Sequence, residues 1–186
     1  MIYNPHAPDW HKSAPPDIDL ETYAKAWIDM EPHVAQLTEY ARDKATIVEF
    51  GLRGAVSTWA MLDGMPMAGR LVGVDIDPNA PIPARVREDP RFRFVVGDTS
   101  DAPLPNHADL VMIDASHEFS STVVELLRAA SLTPDLILLH DYLYEHTPGV
   151  ARAVDGYTAK GYLRDEPYRL ATVHPSRWGL AVLEKR

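Results

Sequence analysis

From residue 46 onward the chain is punctuated by short, near-continuously apolar runs. Thr46–Phe50, Leu71–Asp75, Phe92–Val96, Asp109–Asp114 and Leu136–Asp141 are five of them, and most end on a polar or acidic residue. Such runs predict parallel strands buried on both faces, because a half-exposed strand would alternate apolar with polar positions. Between the last two, Phe119, Val123, Leu126, Leu127 and Ala130 form a helical stripe, with Ser120, Ser121 and Thr122 as candidate caps. Earlier in the chain, Leu20, Tyr23, Ala24, Trp27 and Ile28 follow the spacing of an amphipathic helix that Asp17 or Asp19 would cap. Pro32 suits the first turn of a second helix carrying Val34, Leu37 and Ala41.

The two ends differ from this pattern. Residues 1–16 hold Pro5, Pro8, Pro15 and Pro16 without periodicity and read as an irregular arm, with Trp10 as a candidate lid aromatic. Near the other end, Arg169–His174 and Trp178–Leu183 flank Pro175-Ser176-Arg177, the layout of an antiparallel hairpin. The expected fold class is α/β: a Rossmann-like, mostly parallel sheet of seven strands, five parallel plus the hairpin, with helices on both faces. One structural domain is expected, with residues 1–44 packing on a core of residues 45–186.

Composition narrows the function classes. Lys and Arg total 18 against 27 Asp and Glu, a net charge of −9, and no basic run interrupts the acidity. Such a surface repels phosphate backbones, so nucleic acid is not the expected partner. Cysteine is absent, which removes disulfide frameworks, thiolate zinc sites and cysteine nucleophiles together. No apolar stretch has the length of a membrane span, the first residues do not read as a signal peptide, and a cytoplasmic location is expected. There is no G-x-S-x-G elbow, which argues against a serine hydrolase.

The chemistry is expected at the carboxyl ends of the strands, where open α/β sheets bind their ligands. Glu49, Asp75, Asp98, Asp114, His140 and Asp141 fall there. Acids gathered at one rim suit ribose hydroxyls, a cationic ligand or a metal ion. After the first strand, Gly51-Leu52-Arg53-Gly54 is a G-x-x-G turn in which Gly51 and Gly54 permit close backbone approach, and Ser57 and Thr58 lead into a helix where Trp59 belongs to the core. An ordinary strand–helix turn has the same appearance. About twenty residues on, Asp75 is placed to accept from two ribose hydroxyls, while Asp77 suits the start of the next turn. Asp98 suits an adenine amino group or, equally, a turn. Asp114 and His117, three apart after a strand, fit one turn at the rim; alternatively Asp114 caps the following helix and His117 lies on its surface. Tyr142, Tyr144 and His146 follow the fifth strand and either line a substrate or are simply solvated.

Glu49-Phe50-Gly51-Leu52-Arg53-Gly54 with Ser57-Thr58, then Gly73-Val74-Asp75-Ile76-Asp77, resembles the class I S-adenosylmethionine (SAM)-dependent methyltransferases. The likeness is strongest to the small-molecule and sugar O-methyltransferase and cephalosporin-hydroxylase-like group. It continues through Ile113-Asp114-Ala115-Ser116-His117, Leu138-Leu139-His140-Asp141-Tyr142, Pro148-Gly149-Val150 and Gly179–Leu183, covering about residues 45–183. The resemblance implies SAM over the glycine turn, with Glu49, Gly51, Gly54, Ser57, Asp75, Asp98 and Asp114 around it. It also implies Mg²⁺ or another divalent cation on Asp114 and Asp141, with His140 either a ligand, a group behind the ligands or a substrate contact. His117 would be the general base and a small hydroxylated molecule the acceptor, with self-association left open. Two departures stand out: Ala55 replaces a frequent second glycine, and Leu132–Leu136 replaces a Pro-Gly-Gly turn. The competing readings are a SAM-fold binding protein without catalysis and a nicotinamide oxidoreductase.

Overall fold

A computed structural model describes residues 18–158 and 167–186; the arm with Trp10, and Asp17, lie outside the described residues. Five strands, β1 (Thr46–Phe50), β2 (Arg70–Asp75), β3 (Phe92–Val96), β4 (Leu110–Ile113) and β5 (Leu136–Leu139), run parallel. The hairpin β6 (Tyr168–His174) and β7 (Leu180–Lys185) closes one side, β7 pairing antiparallel with β5. The order β3-β2-β1-β4-β5-β7-β6 is the doubly wound, seven-stranded α/β sheet that the apolar runs predict. The strand order reverses between β1 and β4, which opens a crevice at their carboxyl ends.

Alternate side chains of each strand serve two separate cores, which is why the runs are continuously apolar. Ile47, Leu71, Leu110, Met112 and Leu138 pack with helices α1 (Leu20–Ala24), α2 (Val34–Ala41), α3 (Val56–Gly64) and the short α4 (Ala84–Arg87). Val48, Phe50, Val74, Val111, Ile113 and Leu139 face α5 (Phe119–Ser131) and α6 (Pro148–Thr158). Trp59 is buried in the first core, as expected. Among the described residues no helix is long and apolar enough to cross a membrane.

Several local expectations are corrected. The first helix stops at Ala24 rather than continuing through Ile28. Beyond it the chain tightens into turns (Ala26 N–H to Tyr23 O, Trp27 N–H to Ala24 O) that carry Asp29 and Met30 inward. Asp19 does cap it, accepting the Thr22 N–H at 2.8 Å. Pro32 sits in a 3-10 turn, Glu31–His33, that leads into α2. Ser120, Ser121 and Thr122 do not cap α5: the helix begins at Phe119, so they are already inside it, and the Thr122 hydroxyl donates back to Ser116 O and Glu118 O. Asp114 does not cap it either, since Glu118 holds that position.

The missing Pro-Gly-Gly turn keeps the backbone shape that glycine favours. Thr133 adopts φ +52°, the left-handed region that a β-branched residue disfavours. Its side chain is exposed, so little packing compensates. Thr133→Gly is therefore expected to stabilise the protein by about 1 kcal/mol, raising Tm by about 2–4 °C; a thermal melt with unchanged or lowered Tm contradicts this.

Candidate active site

A cavity of about 770 Å³ opens at the carboxyl ends of β1, β2, β3 and β4. Its wall includes Gly51, Arg53, Asp75, Asp98, Asp114 and His117, so three of the rim acids that the strand ends predict line it, while Glu49, His140 and Asp141 are not in its lining. Gly51 sits at φ +80°, and a Cβ there would stand 2.4 Å from Asp114 O. Glycine is thus what lets the β1 turn lie against the end of β4 at the point where the sheet reverses.

The glycine turn is tied down by carboxylates. Asp75 Oδ2 accepts the N–H groups of Leu52 (2.8 Å) and Arg53 (3.2 Å), and its Oδ1 accepts the Asp77 N–H at 2.9 Å. Arg53 and Ala55 both take left-handed φ, +42° and +54°, so the turn presents successive N–H groups to one acceptor. Ala55 therefore adopts the conformation a glycine would, at the start of α3. Glu49 is fully buried beneath the turn, where it accepts from the hydroxyls of Ser57 and Thr58, the latter at 2.6 Å. Burial pushes its pKa up to about 8.

Not every expected cofactor residue reaches the cavity wall. Glu49 and Ser57 lie under the turn, and Gly54 faces Trp27, whose ring stands 2.3 Å from where a Cβ would be. The Tyr23 hydroxyl donates to Gly54 O at 2.8 Å, so this glycine accommodates the N-terminal segment. Asp98 is exposed on the wall and accepts the Ser100 N–H at 2.8 Å, a bond that holds its carboxyl below the usual range. Tyr142, Tyr144 and His146 are not on the wall; the Tyr142 hydroxyl donates to Asp155 instead.

Asp114, His140 and Asp141 converge, with one potential ligand atom from each lying within 4.8 Å of the others. His140 Nδ1 is 3.4 Å from Asp114 Oδ1 and 3.5 Å from Asp141 Oδ1. Both His140 Nδ1 and Asp141 Oδ1 are buried without a hydrogen-bond partner. His140 Nε2 must donate to Asp29 O (3.1 Å), since a carbonyl only accepts, and Nδ1 is thereby turned toward the two acids. Burial pulls the His140 pKa down, but the two carboxylates outweigh it and carry it up to about 10. Burial likewise raises Asp114 and Asp141, and the neighbouring histidines override it and hold both carboxyls down. His117 Nε2 lies 3.0 Å from Asp141 Oδ2 and 3.5 Å from Asp114 Oδ1, and these partners push it up to about 10. The cluster demands positive charge. Protons meet that demand without well-formed hydrogen bonds at His140 Nδ1, while a divalent cation would take the same two oxygens and the nitrogen as ligands, so the residues fit such an ion.

Three residues near the cavity escaped the sequence reading. Arg53 ion-pairs with Asp29 and stands 5.1 Å over the Trp27 ring. Glu125, 1% exposed on α5, accepts the Thr99 hydroxyl at 2.7 Å and joins the β3 and β4 loops. Nothing local marks Asp29 or Glu125, because their partners lie more than twenty residues away.

No protein-family model and no curated protein matches the sequence. The fold is nonetheless shared with solved methyltransferases. An O-methyltransferase from Streptomyces achromogenes involved in tomaymycin synthesis, solved with SAM, is 16% identical, with a TM-score of 0.66 over 89% of this chain and 87% of its own. An O-methyltransferase from Bacillus cereus in complex with S-adenosylhomocysteine (SAH) is 15% identical, with a TM-score of 0.62 over 83% and 80%. A protein from Pyrococcus horikoshii described as a candidate RNA methyltransferase is 14% identical, with a TM-score of 0.60 over 82% and 81%. The chain has the Rossmann-like methyltransferase fold, and that fold serves acceptors of different chemistry.

The buried Glu49 makes a pH-dependent contribution of definite sign. Its folded pKa of about 8 exceeds the ordinary 4.5, so the folded state keeps a proton that the unfolded chain has released. The stability it contributes is complete below the lower value and lost as pH rises through the upper one, at up to about 1.4 kcal/mol per pH unit. Urea denaturation at pH 5.5 and 8 is expected to show a smaller loss of stability in Glu49→Gln than in the wild type. Equal losses contradict the assignment.

Proposed function

We propose that this chain is a SAM-dependent O-methyltransferase of small hydroxylated molecules, assisted by a divalent cation and working in the cytoplasm. The observation that carries the reading is the meeting of Asp114, His140 and Asp141 at a cavity that Asp114 lines together with Asp75 and Asp98. The fold of the solved O-methyltransferases supports it, and the acidic surface favours a small acceptor over a nucleic acid.

Asp75 and Asp98 would hold the nucleoside, Asp75 through the one lone-pair direction that its three backbone bonds leave open. SAM, when bound, supplies a methyl group on a sulfonium, ready for in-line attack. Asp114, Asp141 and His140 would hold the cation, which supplies a lowered pKa to an acceptor hydroxyl. His117 would take the proton. With two unneutralised acids beside it, His117 keeps its own proton at neutral pH. Neutralising those acids removes the cause of the elevation and returns the imidazole toward its ordinary value, where it can act as a base. The two-histidine, two-aspartate cluster thus couples cation loading to base competence through charge alone.

Calorimetric titration with SAM is expected to give saturable heat that Asp75→Ala abolishes; no heat up to millimolar SAM overturns the reading. Mn²⁺ binding followed by electron paramagnetic resonance is expected to weaken about tenfold or more in Asp141→Asn, with SAM affinity within about twofold of wild type. Methyl transfer that survives exhaustive chelation would remove the cation from the mechanism.

A further inference from the structure

The cavity wall carries Asp75, Asp77, Asp98, Asp114 and Glu125, and Arg53 is the one arginine or lysine among its described lining residues. A ligand with a carboxylate meets repulsion along that wall except at this guanidinium and at His117, whose imidazole is already engaged by Asp114 and Asp141. Arg53 also holds an unfavourable backbone: φ +42° in the glycine turn, where an unbranched glycine would sit without strain. Its head group is set in place from two directions, one nitrogen donating to the buried Asp29 carboxylate and the plane lying over Trp27. A guanidinium has five donors in a planar fork, so the edge turned to Asp29 leaves others for a second anion. The side chain remains 39% exposed and belongs to the cavity lining, so the cation is reachable from the ligand space.

On the reading that the cavity takes SAM, we infer that Arg53 is the specificity-determining contact for the α-carboxylate of the cofactor's amino-acid end. The nucleoside end is accounted for by Asp75 and Asp98, which leaves the amino-acid end toward Arg53 and Asp114. There the acids suit the sulfonium and ammonium, and Arg53, with donors left over from its bond to Asp29, suits the carboxylate. Because Trp27 and Asp29 fix the head group beforehand, little side-chain freedom is lost on binding. The described residues ahead of β1 therefore contribute to cofactor selection through Arg53.

Calorimetry with two probes tests this: SAH, and 5′-methylthioadenosine, which keeps the nucleoside and sulfur but lacks the amino-acid end. Arg53→Gln is expected to weaken SAH about ten- to a hundredfold, to leave methylthioadenosine within about twofold, and to be partly rescued by Arg53→Lys. Equal weakening of both probes, or of neither, overturns the assignment. Should the Gln variant fail to fold, the wild type still decides: decarboxylated SAH is expected to bind at least about tenfold more weakly than SAH, and equal affinity overturns it. Wild type that binds none of these adenosyl compounds would sink the methyltransferase reading itself, whereas SAH binding indifferent to Arg53 sinks only this inference.

Discussion

Two carboxylates held within 3.5 Å of one imidazole nitrogen require positive charge, and much of the surrounding structure answers that requirement. His117 closes the open side of Asp114 and Asp141, and Arg53 stands near enough to lower Asp114 further. Asp29 O takes the far nitrogen of His140 and thereby chooses which one faces the acids. His33, whose pKa burial pushes down to about 4, stays neutral and stacks edge-on against His140, adding no competing charge. A buried acid pair left without such support would protonate, and the rim would lose the negative charge that defines it.

The same economy governs the glycine turn. Asp75 is usually thought of only as a ligand-facing acid at a strand end, yet here it receives two successive backbone N–H groups and so fixes the turn before any ligand arrives. Glu49 does the equivalent work from below by gathering the Ser57 and Thr58 hydroxyls. The turn that would cradle a cofactor is thus clamped between Asp75 on one side and the buried, proton-retaining Glu49 on the other, a pre-organisation that spares ordering on binding.

What was legible in the sequence follows from the range of the interactions involved. Strands buried on both faces leave continuous apolar runs, so the parallel strands are readable from local pattern alone, and the hairpin from the turn between its two strands. The metal-type triad is readable too, because two of its members are adjacent and the third ends a neighbouring strand. Helix limits were less so: the stripe from Leu20 to Ile28 has the right period, but burial of Asp29 and Met30 bends the chain early. Illegible were the pairings across long separations, Asp29 with Arg53 and His140, and Glu125 with Thr99, since Asp29, Thr99 and Glu125 sit in unremarkable local contexts. Gly54 has a long-range neighbour of the same kind, the Trp27 ring packed where a Cβ would stand.

The residues ahead of β1 are consequently part of the site rather than packing attached to it. Tyr23 and Trp27 seat the glycine turn, Asp29 sets both Arg53 and His140, and His33 meets Ser176 at 2.9 Å, the serine that also accepts the Trp178 and Gly179 N–H groups of the hairpin turn. A single short segment thereby spans the rim from the glycine turn to the hairpin and touches the acid triad on the way. A shift in that segment cannot be confined to stability: it moves the guanidinium and the imidazole together, because both are referred to the same aspartate. The coupling of the two ends of the site follows from that shared reference, one residue supplying a carboxylate to the cation and a carbonyl to the histidine.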